Sequence, residues 1–209
     1  MELLESWPLG GATDLRDRLL SAYGDPSRGY HDRQHLAEVV GNLDLLRGEL
    51  PRPEIEAMQW PPPHLHAVLL AAWFHDAVYD GEGDLEERSA VLAEEELPAA
   101  GCAPELVGEV ARLVRLTATH RPAPDDARGA VLCDADLAIL AAPPERYAEY
   151  VRGVRHEYGH LDDAIFRAGR AAVLRDLAAG ELLFHTATGR DLWEDAARAN
   201  LAAELSRLT

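Results

Sequence analysis

The sequence predicts an all-α fold, a single-domain bundle of about nine helices. Three observations lead there. Apolar residues recur at helical spacing nearly everywhere, strand-like alternation is almost absent, and no linker is long enough to divide the chain. At 209 residues the chain can bury one sizeable core, so residues 1–209 are read as one domain.

The elements follow in order. Thr13 is placed to cap a helix running to about Tyr23, and Gly24, Pro26 and Gly29 break it. A second helix is expected from about His31 to Arg47. The Pro-rich stretch 50–64 reads as a surface loop. The segment "HLHAVLLAAWFHDAVY", about His64 to Tyr79, is apolar on most sides and therefore central. Asp84 can cap a helix to about Leu97, and Pro104 suits the first position of one ending near His120. Helices are expected over about Ala127–Leu140, Pro144–Tyr158 and Asp162–Ala179. Thr188 can cap the last, to about Leu205.

The net charge of −17 and the absence of a basic cluster exclude a nucleic-acid polymer as partner. A small phosphorylated molecule stays admissible if local cations invert the field. The longest apolar run, Ala67–Phe74, is too short to span a bilayer. The opening "MELLESW" lacks the positive charge of a signal peptide. The chain is therefore expected to be cytoplasmic, with no membrane partner; a homodimer is left open. Cys102 and Cys133 form no CxxC and read as small buried hydrophobes.

Chemistry concentrates in a few places. His31 and His35 stand four apart, a spacing that stacks two imidazoles on one helix face. His75–Asp76 closes the most buried helix, where an unpaired imidazole and carboxylate would be costly and a divalent cation would satisfy both. In "VLCDADLAIL", Asp136 shares a face with Leu132 and Leu140, while Asp134 shares one with Val131 and Leu137. Helix phase leaves open which acid is inside. His120 extends the buried stripe Val110, Leu113, Val114, Thr117 by one turn, which favours either a site role or a hydrogen-bonded helix end.

Together these pieces resemble the HD superfamily of metal-dependent phosphohydrolases: a His, an HD about forty residues on, and an inward Asp about sixty residues later, all on helices. The "YHxxxH" opening and the "ADL" around Asp136 are also similar to the all-α cyclic-nucleotide phosphodiesterases. One bacterial branch of predicted HD phosphohydrolases is more similar still. Its motifs match "YHDRQH", "WFHDAVYD", "LEERSA", "TATH", "DADLAILA", "YAEYVRGVRHEY" and "EDAARANLAAEL", spread over about residues 13–205. The chain departs at Leu85, where the branch usually has Asn, and at Ala141, where it usually has Gly.

The resemblance implies that His35, His75, Asp76 and Asp136 bind a divalent ion, with Asp134 as the alternative acid. Two imidazoles and two carboxylates suit Mn, Fe, Co, Ni or Zn, and Mg less well, as one ion or two. Because ligating imidazoles must be neutral, binding should weaken below about pH 6. The resemblance marks His31 and Asp76 as catalytic, His31 as general acid or as an orienting residue. His120 is assigned to a second metal or to phosphate. Arg155, Tyr158, Tyr30, Tyr79 and Glu86 are candidates for substrate contact, against packing for the tyrosines, an ion pair for Arg155 and a helix cap for Glu86. The implied reaction is hydrolysis of a phosphate ester on a small nucleotide-like molecule. A di-iron oxygenase using His31 and His120 as extra ligands, and a non-catalytic metal-stabilised nucleotide-binding module, are the alternatives.

Overall fold

Residues 3–49 and 63–208 are described by a computed structural model, with no strand among them. They form nine α-helices: α1 (Thr13–Tyr23), α2 (Arg33–Leu46), α3 (Pro63–Phe74), α4 (Leu85–Ala99), α5 (Pro104–Leu116), α6 (Ala127–Leu137), α7 (Pro144–Glu157), α8 (Asp163–Ala179) and α9 (Ala187–Leu208). Short 3-10 turns cover Leu3–Ser6, Arg47–Glu49 and Ala138–Ala141. The loop expected over 50–64 lies outside the described residues up to 62, and Pro63 and His64 already belong to α3.

The apolar helix is central, as its composition requires. Ala67 through Phe74 are all buried, with α2, α4, α5 and α6 packed around them. This core also takes in Trp7, Leu19 and Tyr23. A second apolar cluster joins α7, α8 and α9 through Tyr147, Tyr150, Leu174, Phe184 and Leu201. It includes a buried ion pair, Arg170 Nε to Glu204 Oε1 at 2.8 Å, whose carboxylate also accepts the Tyr147 hydroxyl. Trp193 packs against both clusters.

Several helix ends differ from expectation, most clearly where a side chain captures the backbone. Helix α2 begins at Arg33, not His31. The Asp32 carboxylate is its N-cap, accepting the amides of Gln34 at 2.8 Å and His35 at 3.1 Å. His31 thus precedes the helix, and the two imidazoles do not share a helix face. Helix α3 stops at Phe74 rather than Tyr79. The His75 ring donates from Nδ1 to the Ala72 carbonyl at 2.8 Å, filling one of the helix's open acceptors. The Arg28 guanidinium takes the carbonyls of Asp76 (2.7 Å) and Ala77 (3.1 Å), and the Ser89 hydroxyl accepts the Val78 amide (3.1 Å). The HD pair is therefore a turn, not a helix.

Helix α5 ends at Leu116, and His120 follows at φ +52°. Helix α6 ends at Leu137 and tightens into the 3-10 turn. Thr13 is the first residue of α1 and makes no capping bond. Thr186, not Thr188, caps α9 by accepting the Gly189 amide at 2.8 Å; Thr188 instead bonds Glu49. Asp84, Pro104 and Pro144 act as expected.

One close approach fixes the second cluster against the first. A Cβ on Gly153 of α7 would lie 2.3 Å from the Gly29 carbonyl oxygen, and one on Gly29 would lie 2.4 Å from the Gly153 oxygen. Both obstacles are backbone, so relief requires moving α7. Gly153→Ala should destabilise the fold by about 2 kcal/mol, the usual scale of overpacking, in urea denaturation. Gly108→Ala on α5, with nothing within 4 Å of its Cβ, should be neutral or stabilising by up to about 1 kcal/mol. Equal stability of the two variants would show that α7 yields freely.

Candidate metal centre

Four groups converge where the two clusters meet. His35 comes from the first turn of α2, His75 and Asp76 from the turn closing α3, and Asp136 from the last turn of α6. The Nε2 atoms of His35 and His75 are 3.1 Å apart. Asp76 Oδ2 lies 3.3 Å from His35 Nε2 and 3.0 Å from His75 Nε2. Asp136 Oδ1 lies 3.2 and 3.6 Å from the same two atoms. Ligand atoms about 2.1 Å from a common cation sit about 3.0–3.4 Å from their neighbours; four of the five separations fall in that range, and Asp136 Oδ1 to His75 Nε2 is longer at 3.6 Å. His35, His75 and Asp136 form a largely buried group able to hold a metal ion.

The ring orientation suits that use. With Nδ1–H committed to Ala72, the neutral His75 ring has its lone pair on Nε2, facing the group. Burial disfavours every charge here, yet the partners outweigh it. Asp136 and Asp76 raise His35 above the ordinary histidine value, and Asp76 with Asp136 raises His75 well above it. Both carboxyls are held well below the carboxylate range despite burial, Asp76 by His75 and His31, and Asp136 by His75, His120 and His35.

The choice between the two acids of "DAD" is resolved by partners. Asp134 is fully buried on the other side of α6, where it accepts the amides of His185 (2.8 Å) and Thr186 (2.7 Å) and the Thr186 hydroxyl (2.7 Å). It anchors the start of α9. Asp136 faces the group with Oδ1, and its Oδ2 is 2.8 Å from His120 Nε2. The left-handed backbone at His120 turns that ring inward, and the His185 ring donates from Nε2 to the His120 carbonyl at 2.9 Å.

His31 stands at the rim, its ring centroid 5.6 Å from that of His35 and stacked on Tyr79 at 3.9 Å. Its Nδ1 is 2.8 Å from Glu157 Oε2. The other oxygen, Oε1, accepts the amides of Gly29, Tyr30 and His31 at 2.8–2.9 Å. Burial raises the Glu157 carboxyl, but His31 and these amides bring it below its ordinary value. Tyr30 is buried between the His31, His35 and Tyr150 rings, and its hydroxyl has no partner among the described residues. The hydroxyl of half-buried Tyr79 is held protonated by desolvation, the Glu157 charge and Tyr158.

Two candidates are not brought into the group. Arg155 is spent at the α7–α8 corner, on the carbonyls of Tyr158 and Leu161 and on Asp163 at 2.6 Å. It does not pair with Glu157. Glu86 lies in the first turn of α4, makes no hydrogen bond or ion pair among the described residues, and leaves capping to Asp84. Sequence reasoning missed Glu157 as a partner of His31 and Arg28 as the brace of the HD turn. Both lie within stretches whose other residues drew attention, and only tertiary contact reveals them.

Comparison of the chain with protein-family models, curated proteins and solved structures finds no match. The resemblance to HD phosphohydrolases is therefore one of sequence motifs.

Two measurements test the centre. His35→Ala and Asp136→Ala should abolish metal uptake by elemental analysis, while Asp134→Asn keeps uptake and loses stability; metal retained in Asp136→Ala would remove that residue from the ligand set. The raised imidazoles also move the expected pH dependence upward. Groups with raised values keep their protons to higher pH, so a cation must displace protons even at neutrality. Mn(II) affinity should therefore climb from about pH 6.5, the ordinary histidine value, through pH 8 with proton release, and an affinity flat over that interval would contradict the coupling.

Proposed function

We propose that the chain is a metal-dependent phosphohydrolase acting on a small phosphate ester. The observation that carries the reading is that the His35 and His75 Nε2 atoms are 3.1 Å apart and each has an Asp76 and an Asp136 carboxylate oxygen within 3.0–3.6 Å. A bound divalent cation would supply charge neutralisation at phosphorus and a more acidic water. Which of Mn, Fe, Co, Ni, Zn or Mg serves is decided by supply as much as by affinity.

The chain's own residues supply the rest. In hydrolysis a water oxygen bonds to phosphorus, the bond from phosphorus to the ester oxygen breaks, and the leaving oxygen takes a proton. His31 Nε2 is suited to donate that proton. Glu157 accepts from Nδ1 and holds the ring in place, which leaves Nε2 as the nitrogen that would face the ester. Tyr79, stacked on the imidazole, fixes its plane. Asp76 and Asp136 hold negative charge opposite the two imidazoles and orient them.

A second reading draws on the split use of Asp136. One oxygen serves the His35–His75 pair and the other faces His120, as a carboxylate bridging two cations would. Two irons per chain with oxygen-dependent loss of substrate would favour an oxygenase over a hydrolase.

His31→Ala should lower kcat about 10²–10³-fold on an alkyl phosphate at unchanged metal content. On p-nitrophenyl phosphate, whose leaving group needs no proton, the loss should be at most about tenfold. Equal losses on both would remove His31 as the proton donor. Metal-replete protein inactive across phosphomonoesters and diesters would end the hydrolase reading.

A further inference from the structure

A cleft of ≈ 390 Å³ opens beside the centre, with His35 and Asp136 in its wall. That volume falls in the range of small-molecule sites, about 300–1,000 Å³. Its remaining lining is mainly apolar, including Val39, Ile139, Pro143 and the Trp193 indole. Three polar side chains interrupt it. Glu38 lies one helical turn beyond His35. Arg146 clamps it bidentately, Nε to Oε1 at 2.7 Å and NH2 to Oε2 at 2.8 Å. Asn42 donates to the Ala135 carbonyl at 3.0 Å, and its amide oxygen has no hydrogen-bond partner among the described residues.

The charge pattern discriminates between substrates. Arg146 is the one cationic side chain among the described residues lining this cleft, and Glu38 already neutralises it. The Glu38 carboxylate stays ionised although burial opposes it, because Arg146 and Gln34 donate to it. A neutral organic group with a flat ring would find apolar walls, an indole, and acceptors at Glu38 and Asn42. A second phosphate would instead meet Glu38 with no free cation beside it. We propose that this cleft seats the alcohol portion of the ester, that it selects phosphomonoesters of neutral, ring-bearing alcohols over diphosphates and longer chains, and that the Glu38–Arg146 pair is the discriminating element. The inference rests on the reading of the centre as phosphoryl-binding.

The test uses the full chain loaded with Mn(II) and isothermal titration. The probes are inorganic phosphate, the phosphonate analogue of adenosine 5′-monophosphate with a methylene in place of the ester oxygen, and the matching diphosphate analogue. The monophosphate analogue should bind at least about tenfold tighter than either other probe, a difference of about 1.4 kcal/mol. Glu38→Gln should narrow the mono-to-diphosphate ratio at least about tenfold by freeing Arg146, and Trp193→Ala should weaken the monophosphate analogue about tenfold. Leu192→Ala, an exposed neighbour on α9, should change nothing. Inorganic phosphate binding with no preference among the analogues, or a ratio unmoved in Glu38→Gln, overturns the cleft proposal while the centre's reading stands. No binding of inorganic phosphate overturns the phosphoryl-binding reading itself, and the cleft proposal with it.

Discussion

Two largely buried carboxylates, each 3.0–3.6 Å from the Nε2 atoms of two buried imidazoles, are the constraint on which the rest of this structure turns. With neutral rings the group carries two negative charges out of water, and each unpaired buried charge is worth several kcal/mol against folding. Positive charge must enter. Protons can supply it, which is why His35 and His75 hold theirs more tightly than free histidine does. A divalent cation could supply it as one point charge held by His35, His75 and Asp136, with Asp76 beside both rings. The same repulsion that would strain an empty centre becomes affinity for an ion.

The helices around that centre are arranged to present it. Each ligand sits at a helix end or in a turn, where side-chain capture of the backbone sets direction. Asp32 starts α2 just before His35, Arg28 and the His75 ring close α3, and Asn42 ties α2 to the carbonyl preceding Asp136. The group also lies at the seam between two apolar clusters. The first cluster contributes His35, His75 and Asp76. The second places Glu157 against His31 through the close Gly29–Gly153 approach. Close contact between Gly29 and Gly153 thus fixes where the His31 ring stands relative to the His35–His75–Asp136 group.

Much of this was legible in the sequence. Helical periodicity gave the fold class and the central place of the apolar helix, because a segment apolar on all sides has no solvent face to offer. The spacing of imidazoles and carboxylates pointed to the convergence. What escaped were questions settled by tertiary partners. Asp134 and Asp136 both lie beside apolar residues, so only the amides at the start of α9 decide that Asp134 turns away. The helical reading of His31 and His75–Asp76 failed because periodicity ignores caps: Asp32 and Arg28 end regular structure where the apolar pattern would let it continue. Glu157 was invisible for a different reason. A carboxylate near the end of an amphipathic helix looks solvated, and its three amide partners lie more than a hundred residues away.

The overall charge fits a site of this kind better than it first suggests. At −17 the chain repels anions at long range, yet the Debye length at physiological salt is only about 8 Å. A small phosphate ester therefore feels the general acidity weakly until it is near the surface. Close in, the field is local, and it changes sign only where a cation sits. Exposed arginines such as Arg88, Arg112 and Arg115 are each matched to carboxylates, and Arg146 is matched to Glu38 inside the cleft. With those arginines already matched, a cation held by the His35–His75–Asp136 group would be a place where a phosphoryl group meets unspent positive charge. On the proposed reading, selectivity would come from what the surroundings decline to bind, and a ligand with a single phosphate and an uncharged remainder would meet the least repulsion.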